Sequence, residues 1–393
     1  MPPARAAADP RIWPYRYELL DGLRGLAALT VVGTHLGVTQ LGHAAVMVFF
    51  VISGYCVAAA AESCRRKGLT IGQIMWRRLH RIYPPYFFSI VFYALTRVAK
   101  VALTGRDNLR RPWTDWLQNF TLTQWVSLLH HPLVDAAGNH TLFVAAYWSL
   151  DYEEQFYLVV ALALVLAVRG RLPMFMSVLA LSVLSLAWNA VFPGTVRGIF
   201  IEYWVHFSLG AMLFYALCIF PQRAVRTLFV AAVVAVLSYS VSQILPWHAP
   251  LGTAPHVWLD LAVASAFTLL LFFGRPLSES IARQPLWRPI SALGLISYSL
   301  YLVHQFNITV AMSVANRVVP QDWHVAQIGV EVAVMLLIAT LFWYCCERPF
   351  LNRSLTQRAP APNELVPVAL EAVPPAQPAA DGLPARLTAR AAE

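Results

Sequence analysis

The sequence predicts an all-α fold, a polytopic membrane helical bundle of about ten transmembrane helices, and three observations carry that prediction. Of the 393 residues, 58% are hydrophobic and only 12% charged, about half the charge fraction of a soluble chain of this length. Mean hydropathy is +0.57. The apolar residues gather in ten runs, each long enough to cross a hydrocarbon core that takes about 20 residues of helix. A net charge of +9 would suggest nucleic acid in a soluble protein. Here the basic residues lie between apolar runs, so they point to membrane orientation and no nucleic-acid partner is expected.

The N-terminal segment, 1–20, carries Arg5, Arg11 and Arg16 directly before a full-length apolar run. No short h-region with a cleavage site precedes that run, so a cleavable signal is not expected. Spans are expected at 21–38, 43–61, 85–104, 141–168, 173–192, 198–220, 225–245, 256–274, 290–315 and 325–346. Pro, Gly and charged residues punctuate them, as in the RGRLP stretch at 169–173 and PQRAVR at 221–226. The segment 85–104 contains Arg97 and Lys100 and is the least apolar of the ten. Between the third and fourth spans lies the longest connection, about 105–140. It holds Trp113, Trp116 and Trp125, expected to be interfacial anchors, and His130, His131 and His140, too few ligands for a metal site. From about 356 to 393 the chain is Ala- and Pro-rich with no helical period and is expected to be a disordered cytoplasmic tail. The five cysteines show no CxxC or zinc spacing, and a disulfide framework is not expected.

An N-terminus in the cytoplasm puts twenty of the twenty-nine Lys and Arg residues on the inner side and seven on the outer, with two in the tail. By the positive-inside rule both termini are then cytoplasmic. The first span runs outward, with Arg24 at cytoplasmic depth and His35 towards the outer leaflet.

Four constellations carry the chemistry. Arg24 and His35 are eleven residues apart, which at about 100° per residue returns a helix to nearly the same face, about 16 Å along the axis. Ionisable groups inside a spanning helix are costly and usually face a cavity or partner, so this shared stripe reads as a polar path. In MWRRLHRIYPPY, Arg78 and Arg81 share a helix face that Pro84 and Pro85 are expected to end. Two adjacent guanidiniums suit a phosphorylated ligand, although positive-inside charge accounts for them equally well. YWSLDYEEQFYLVV places Asp151, Glu153 and Glu154 at the expected depth of His35. There a carboxylate could hold the imidazole as a general base, with Glu153 the preferred candidate. Ser53 and Gly54 read as small residues that let helices approach. Ser297, Tyr298, Tyr301 and His304 form a polar stripe that either lines a cavity or bonds between helices.

Those same residues resemble acyltransferase family 3, a family of membrane O-acyltransferases. The resemblance rests on LDGLRGLAAL with its Arg24-to-His35 spacing, then FFVISGY, RRLHRIYPPY, YWSLDYEEQFYL, SYSLYLVH and the closing CERPF. They occur in the family's order across about 20–351. The resemblance implies a membrane domain over 21–351 that moves an acyl group, commonly acetyl, from cytoplasmic acyl-CoA. The acceptor would be a hydroxyl of a surface polysaccharide, lipopolysaccharide or other glycan, or a lipid-linked sugar; an oligomer is compatible with it. Residue by residue it implies Arg24 and His35 as the functional pair, Arg78 and Arg81 as the paired arginines for the donor, and Glu153 as the acid after the Trp-Ser-Leu motif. No metal is implied. Asp151-Tyr152 departs from the small residue and Val frequent in relatives, which bears on the acceptor side. A fused extracytoplasmic hydrolase-like domain, present in some relatives, is not seen in this sequence. The rival reading is a proton-coupled transporter or flippase of lipid-linked sugars with His35 and Glu153 as relay; the sequence gives no clear internal repeat for it.

Overall fold

The computed structural model describes residues 17–67, 69–105, 112–126, 142–168, 173–192, 198–220, 222–244 and 255–351. The expected tail, the RGR turn at 169–171, Arg197, His130, His131 and His140 lie outside the described residues. The described residues belong to one compact unit, 1–352.

Every one of the ten expected segments falls on a helix. They are α1 (Leu20–His35), α2 (Gly42–Arg66), α3 (Ile71–Thr104), then, after a short α4 (Trp113–Thr121), α5 (Trp148–Val168) and α6 (Met174–Val191). Next come α7 (Trp204–Phe214), α8 (Arg223–Ile244), α9 (Pro255–Gly274), a short α10 (Ser278–Ala282), α11 (Trp287–Val318) and α12 (His324–Phe342). Among the described residues there is no strand. On length and composition alone, five helices can cross a membrane: α2, α6, α8, α9 and α12. The other five expected spans fall short on length or polarity. α1 has 16 residues and α7 has 11, while α3, α5 and α11 carry the charged and polar side chains that build the site.

The outward faces are apolar. Leu228 on α8 is 71% exposed and Phe273 on α9 is 63% exposed, a surface that lipid covers without cost and water would not. Inside, close approach is set by glycines. A Cβ on Gly54 would stand 1.9 Å from the Phe207 carbonyl oxygen, and one on Gly210 1.8 Å from that of Val51, so α2 and α7 touch backbone to backbone. The same holds between α1 and α11, where a Cβ on Gly294 would meet the Asp21 carbonyl at 1.9 Å. The packing expectation is therefore met by Gly54. Ser53 does something else.

α3 corrects two expectations. It starts fourteen residues before the expected span, behind a capping box in which Gln73 N–H donates to Thr70 Oγ1 (3.3 Å) and Thr70 N–H to Gln73 Oε1 (2.9 Å). It then runs through Pro84 and Pro85 instead of ending there. The two prolines leave the carbonyls of His80 and Arg81 without their helical donors, and at this point α11 supplies a hydroxyl, Tyr298 OH to the Ile82 carbonyl at 3.0 Å. That hydroxyl goes to the carbonyl one residue beyond the freed pair, so it ties α3 to α11 beside the prolines without replacing their lost donors. The result keeps Arg78 and Arg81 on the same rod as the apolar residues that anchor it.

Candidate active site

α1, α2, α3, α5 and α11 enclose a cavity of about 110 Å³. Three guanidiniums line it, Arg24 from α1 and Arg78 and Arg81 from α3. The sequence paired Arg24 with His35 along one helix. The fold instead brings Arg24 to the two α3 arginines, because α1 and α3 are antiparallel to the intervening α2 and so start at the same end of the bundle. Arg78 donates from Nη2 to the Cys56 carbonyl at 3.0 Å and lies 5.8 Å above the Tyr157 ring. Neither Arg24 nor Arg81 has a hydrogen bond or ion pair among the described residues. Three half-buried like charges with so few partners are costly unless an anion answers them.

Glu153 is the carboxylate on the wall of this cavity. Ser53 Oγ donates to its Oε1 at 2.8 Å, and Tyr157 OH, one turn along α5, donates to the same atom at 2.5 Å. The expectation that Glu153 holds His35 is not what the geometry gives: its partners are Ser53 and Tyr157, facing the arginines. Among the described residues no carboxylate lies within hydrogen-bonding reach of His35. Glu347, in the closing CERPF, is 2% exposed and accepts from Ser299 Oγ (2.6 Å) and Ser299 N–H (3.2 Å). It is close enough to Arg81 and Arg24 to be felt by both. Tyr157 and Glu347 escaped the sequence reading. The i+4 spacing from Glu153 would have found the first; a single acid at a helix end, followed by Arg348, gives no local clue to the second.

His35 ends α1 at the opposite end of that helix from Arg24, is exposed, and packs its ring on His304 of α11, centroids 5.0 Å apart and tilted by 47°. His304 is 1% exposed. Its Nδ1 is 2.7 Å from the Tyr301 carbonyl, so that nitrogen carries the proton and Nε2 keeps its lone pair, without a partner among the described residues. The α11 stripe does both things the sequence left open. Ser297, Tyr298 and Tyr301 line the arginine cavity, and Tyr301 OH bonds across helices to Ser149 Oγ (2.7 Å) and to the Ala146 carbonyl. Tyr301 thus stands with its side chain at the cavity and its carbonyl on His304. It joins the two halves of the site.

The other two acids of α5 separate. Glu154 accepts from Tyr83 OH. Asp151 is 1% exposed, and neither carboxylate oxygen has a partner among the described residues. A second, apolar cavity of about 550 Å³ lies between α3 and α5 and shares Ile82, Leu150, Glu153 and Tyr157 with the first. Of the expected interfacial tryptophans, Trp113 is 73% exposed, whereas Trp116 packs on Phe143 with centroids 4.4 Å apart.

Known proteins share the chain's sequence over most of its length. The chain is 26% identical over 346 residues to a protein named as a membrane-bound transacylase in Komagataeibacter xylinus, covering 85% of this chain and 82% of that one. It is 27% identical over 376 residues to a protein named as a peptidoglycan O-acetyltransferase in Bacillus subtilis, covering 86% of this chain and 56% of the relative. A peptidoglycan O-acetyltransferase of Listeria monocytogenes is 23% identical over 360 residues, covering 84% and 55%. The chain thus spans little more than half the length of those two relatives. No solved structure matches it. The model of the acyltransferase domain, acyltransferase 3, matches residues 17–346, and since that match takes in every helix of the arginine cavity and both histidines beside it, this chain belongs to the acyltransferase 3 family of membrane acyltransferases.

Proposed function

We propose that the protein moves an acyl group, acetyl in the first instance, from cytoplasmic acyl-CoA to a hydroxyl of a surface polysaccharide, lipopolysaccharide or other glycan. The observation that carries this reading is the convergence of Arg24, Arg78 and Arg81 on one cavity whose far wall, through Tyr301, abuts a histidine pair. Guanidiniums bind phosphate oxygens in a planar fork, and the donor is the anionic partner in such a transfer. A cavity of about 110 Å³ is well under the roughly 300–1,000 Å³ of a drug-sized pocket. It accommodates a thin chain such as a pantetheine arm with its pyrophosphate at the guanidiniums, and the adenosine stays outside at the inner face.

In this mechanism His35 takes the proton of the acceptor hydroxyl. The alkoxide oxygen forms a bond to the thioester carbon, the carbon–sulfur bond breaks, and the CoA thiolate leaves and is reprotonated. An N–H of His35 given to the His304 lone pair would leave the other His35 nitrogen as the base, the orienting role a carboxylate plays elsewhere. Arg24, Arg78 and Arg81 hold the donor, Glu153 sets the charge balance of the cavity, and both termini lie in the cytoplasm of a bacterial inner membrane. Family membership weighs against the transporter alternative.

The test uses the full chain in nanodiscs with radiolabelled acetyl-CoA and, as acceptor, envelope polysaccharide stripped of its esters by mild alkali. Alkali-labile label on the polysaccharide is expected; label that never leaves CoA would refute the reading.

A further inference from the structure

At the same end of the bundle as His35, but on the other side of the α1–α2 turn, the fold builds a second cluster that the mechanism does not use. His43 is the second residue of α2, Trp148 opens α5, His206 lies near the start of α7, and Asp260 lies near the start of α9. His43 Nδ1 is 2.9 Å from Asp260 Oδ2, and Asp260 is 3% exposed. The imidazole lies flat on Trp148, ring centroids 5.0 Å apart and planes 7° from parallel. One nitrogen and the ring plane are both fixed. The carboxylate accepts a hydrogen bond from Nδ1–H, which leaves Nε2 as the ring's acceptor in a side chain that is 47% exposed. His206, 1% exposed, stands behind and is close enough to both His43 and Asp260 to interact with their charges.

The surroundings are aromatic and partly open. Trp148 and Tyr203 are both half-buried, with centroids 5.5 Å apart, and Tyr203 is also 6.2 Å from His43. Tyr152 backs them at 4.8 Å from Tyr203 and is itself locked by donating to Glu202 Oε2 (2.8 Å) and accepting the Gly198 N–H (2.7 Å). A chain of side chains ties this cluster to the donor cavity. Trp148 packs edge-on to Phe50, which lines that cavity, and the next residue, Ser149, bonds Tyr301. On the other flank Gly42 sits against the Thr34 side chain, where a Cβ would be 2.8 Å from Oγ1, so His43 and His35 each adjoin a residue of one close contact.

We infer that this cluster is the binding site for the acceptor: His43, held by Asp260, accepts a hydrogen bond from a sugar hydroxyl while Trp148 and Tyr203 give apolar surface to the C–H face of the ring. An exposed imidazole held rigid by a buried carboxylate, beside half-covered aromatic rings, matches a neutral polyhydroxylated ligand. A phosphate or other anion would meet the Asp260 carboxylate here and has its guanidiniums elsewhere. Few and well-placed polar groups on an aromatic floor are what orient a ligand of this kind. The inference rests on the acyl-transfer reading for the identity of the sugar as acceptor; the binding itself is measured separately.

The test is binding of de-O-acylated envelope polysaccharide fragments to the full chain in nanodiscs, followed by biolayer interferometry without acyl-CoA. The isosteric variants His43→Gln and Asp260→Asn are compared with wild type, and CoA binding to each variant reports an intact donor cavity. The expected result is at least a tenfold loss of fragment affinity in both variants with CoA affinity unchanged. In the transfer assay the same variants should raise the acceptor KM by a similar factor and leave the donor KM alone. Fragment affinity equal to wild type in both variants, or a wild type that does not bind the fragments, overturns the inference. A wild type that binds fragments through His43 but transfers no label would refute the acyl-transfer reading and leave the site standing.

Discussion

Replacing Arg81 by Ala should weaken acyl-CoA binding by about 10- to 100-fold without unfolding the protein. A hydrogen bond to a charged group is worth about 1.5–3 kcal/mol, and each 1.4 kcal/mol is roughly a factor of ten in Kd. Arg81 is the cleanest of the three arginines to perturb. It lines the cavity, and among the described residues it has no hydrogen bond to lose. Arg78, by contrast, also serves the Cys56 carbonyl, so its removal mixes a structural cost into the binding loss. Removing one of three mutually repelling charges should if anything relax the empty protein, so thermal stability should hold or rise. Arg81→Lys should recover only part of the affinity, because an ammonium cannot copy the bidentate fork. The assay is equilibrium titration of CoA into nanodisc protein at fixed ionic strength, with pantetheine, which lacks the phosphates, as the comparison ligand. Pantetheine affinity should be insensitive to the change. An unchanged CoA Kd in the Arg78/Arg81 double Ala variant would refute donor binding by these arginines and return them to ordinary membrane-orienting charge.

Three further outcomes follow from the same geometry. Glu153→Gln keeps an acceptor for Ser53 and Tyr157 but removes a negative charge from the arginine cavity; CoA should bind at least as tightly, and a raised donor KM would show the carboxylate to be a donor ligand instead. Gly210→Ala places a Cβ 1.8 Å from the Val51 carbonyl oxygen and, since overpacking typically costs about 1–3 kcal/mol, should lower the melting temperature in a detergent thermostability assay, whereas Gly72→Ala, with open space around it, should not. A reporter inserted after Lys67 should be cytoplasmic and one inserted at His131 external, and finding both on one side would overturn the ten-span topology.

The helices could be read from the sequence because lipid makes hydropathy a direct signal: a backbone in hydrocarbon has to satisfy itself, so an apolar run of sufficient length is a helix. Proline misled for the same reason it usually informs. Pro84 and Pro85 break a helix in water, but here α3 runs through both, with Tyr298, more than two hundred residues away, bonded to the Ile82 carbonyl beside them. The site was half visible. Arg78 and Arg81 sit one turn apart, and local spacing was enough. That Arg24 joins them depends on α1 and α3 starting at the same end of the bundle, which the topology implied and the helical wheel of α1 did not. Glu153 was picked out as functional but given to His35, because depth along the membrane normal was the only coordinate the sequence supplied; which helix face it occupied decided the matter. The His43–Asp260 pair spans α2 and α9 with no motif at either end, and only the packed fold puts the two together.

The central claim is that His35 takes the acceptor proton in a transfer fed from the arginine cavity, and His35→Gln in the full chain tests it most directly. Glutamine keeps a hydrogen-bonding group of similar reach and cannot take up a proton at neutral pH. General-base catalysis is typically worth about 10²–10⁴ in rate. The account predicts that transfer of labelled acetyl from acetyl-CoA to de-O-acylated polysaccharide falls by about that factor, with CoA and fragment affinities unchanged. Transfer by His35→Gln at near wild-type rate would contradict it and move the role of base to His304.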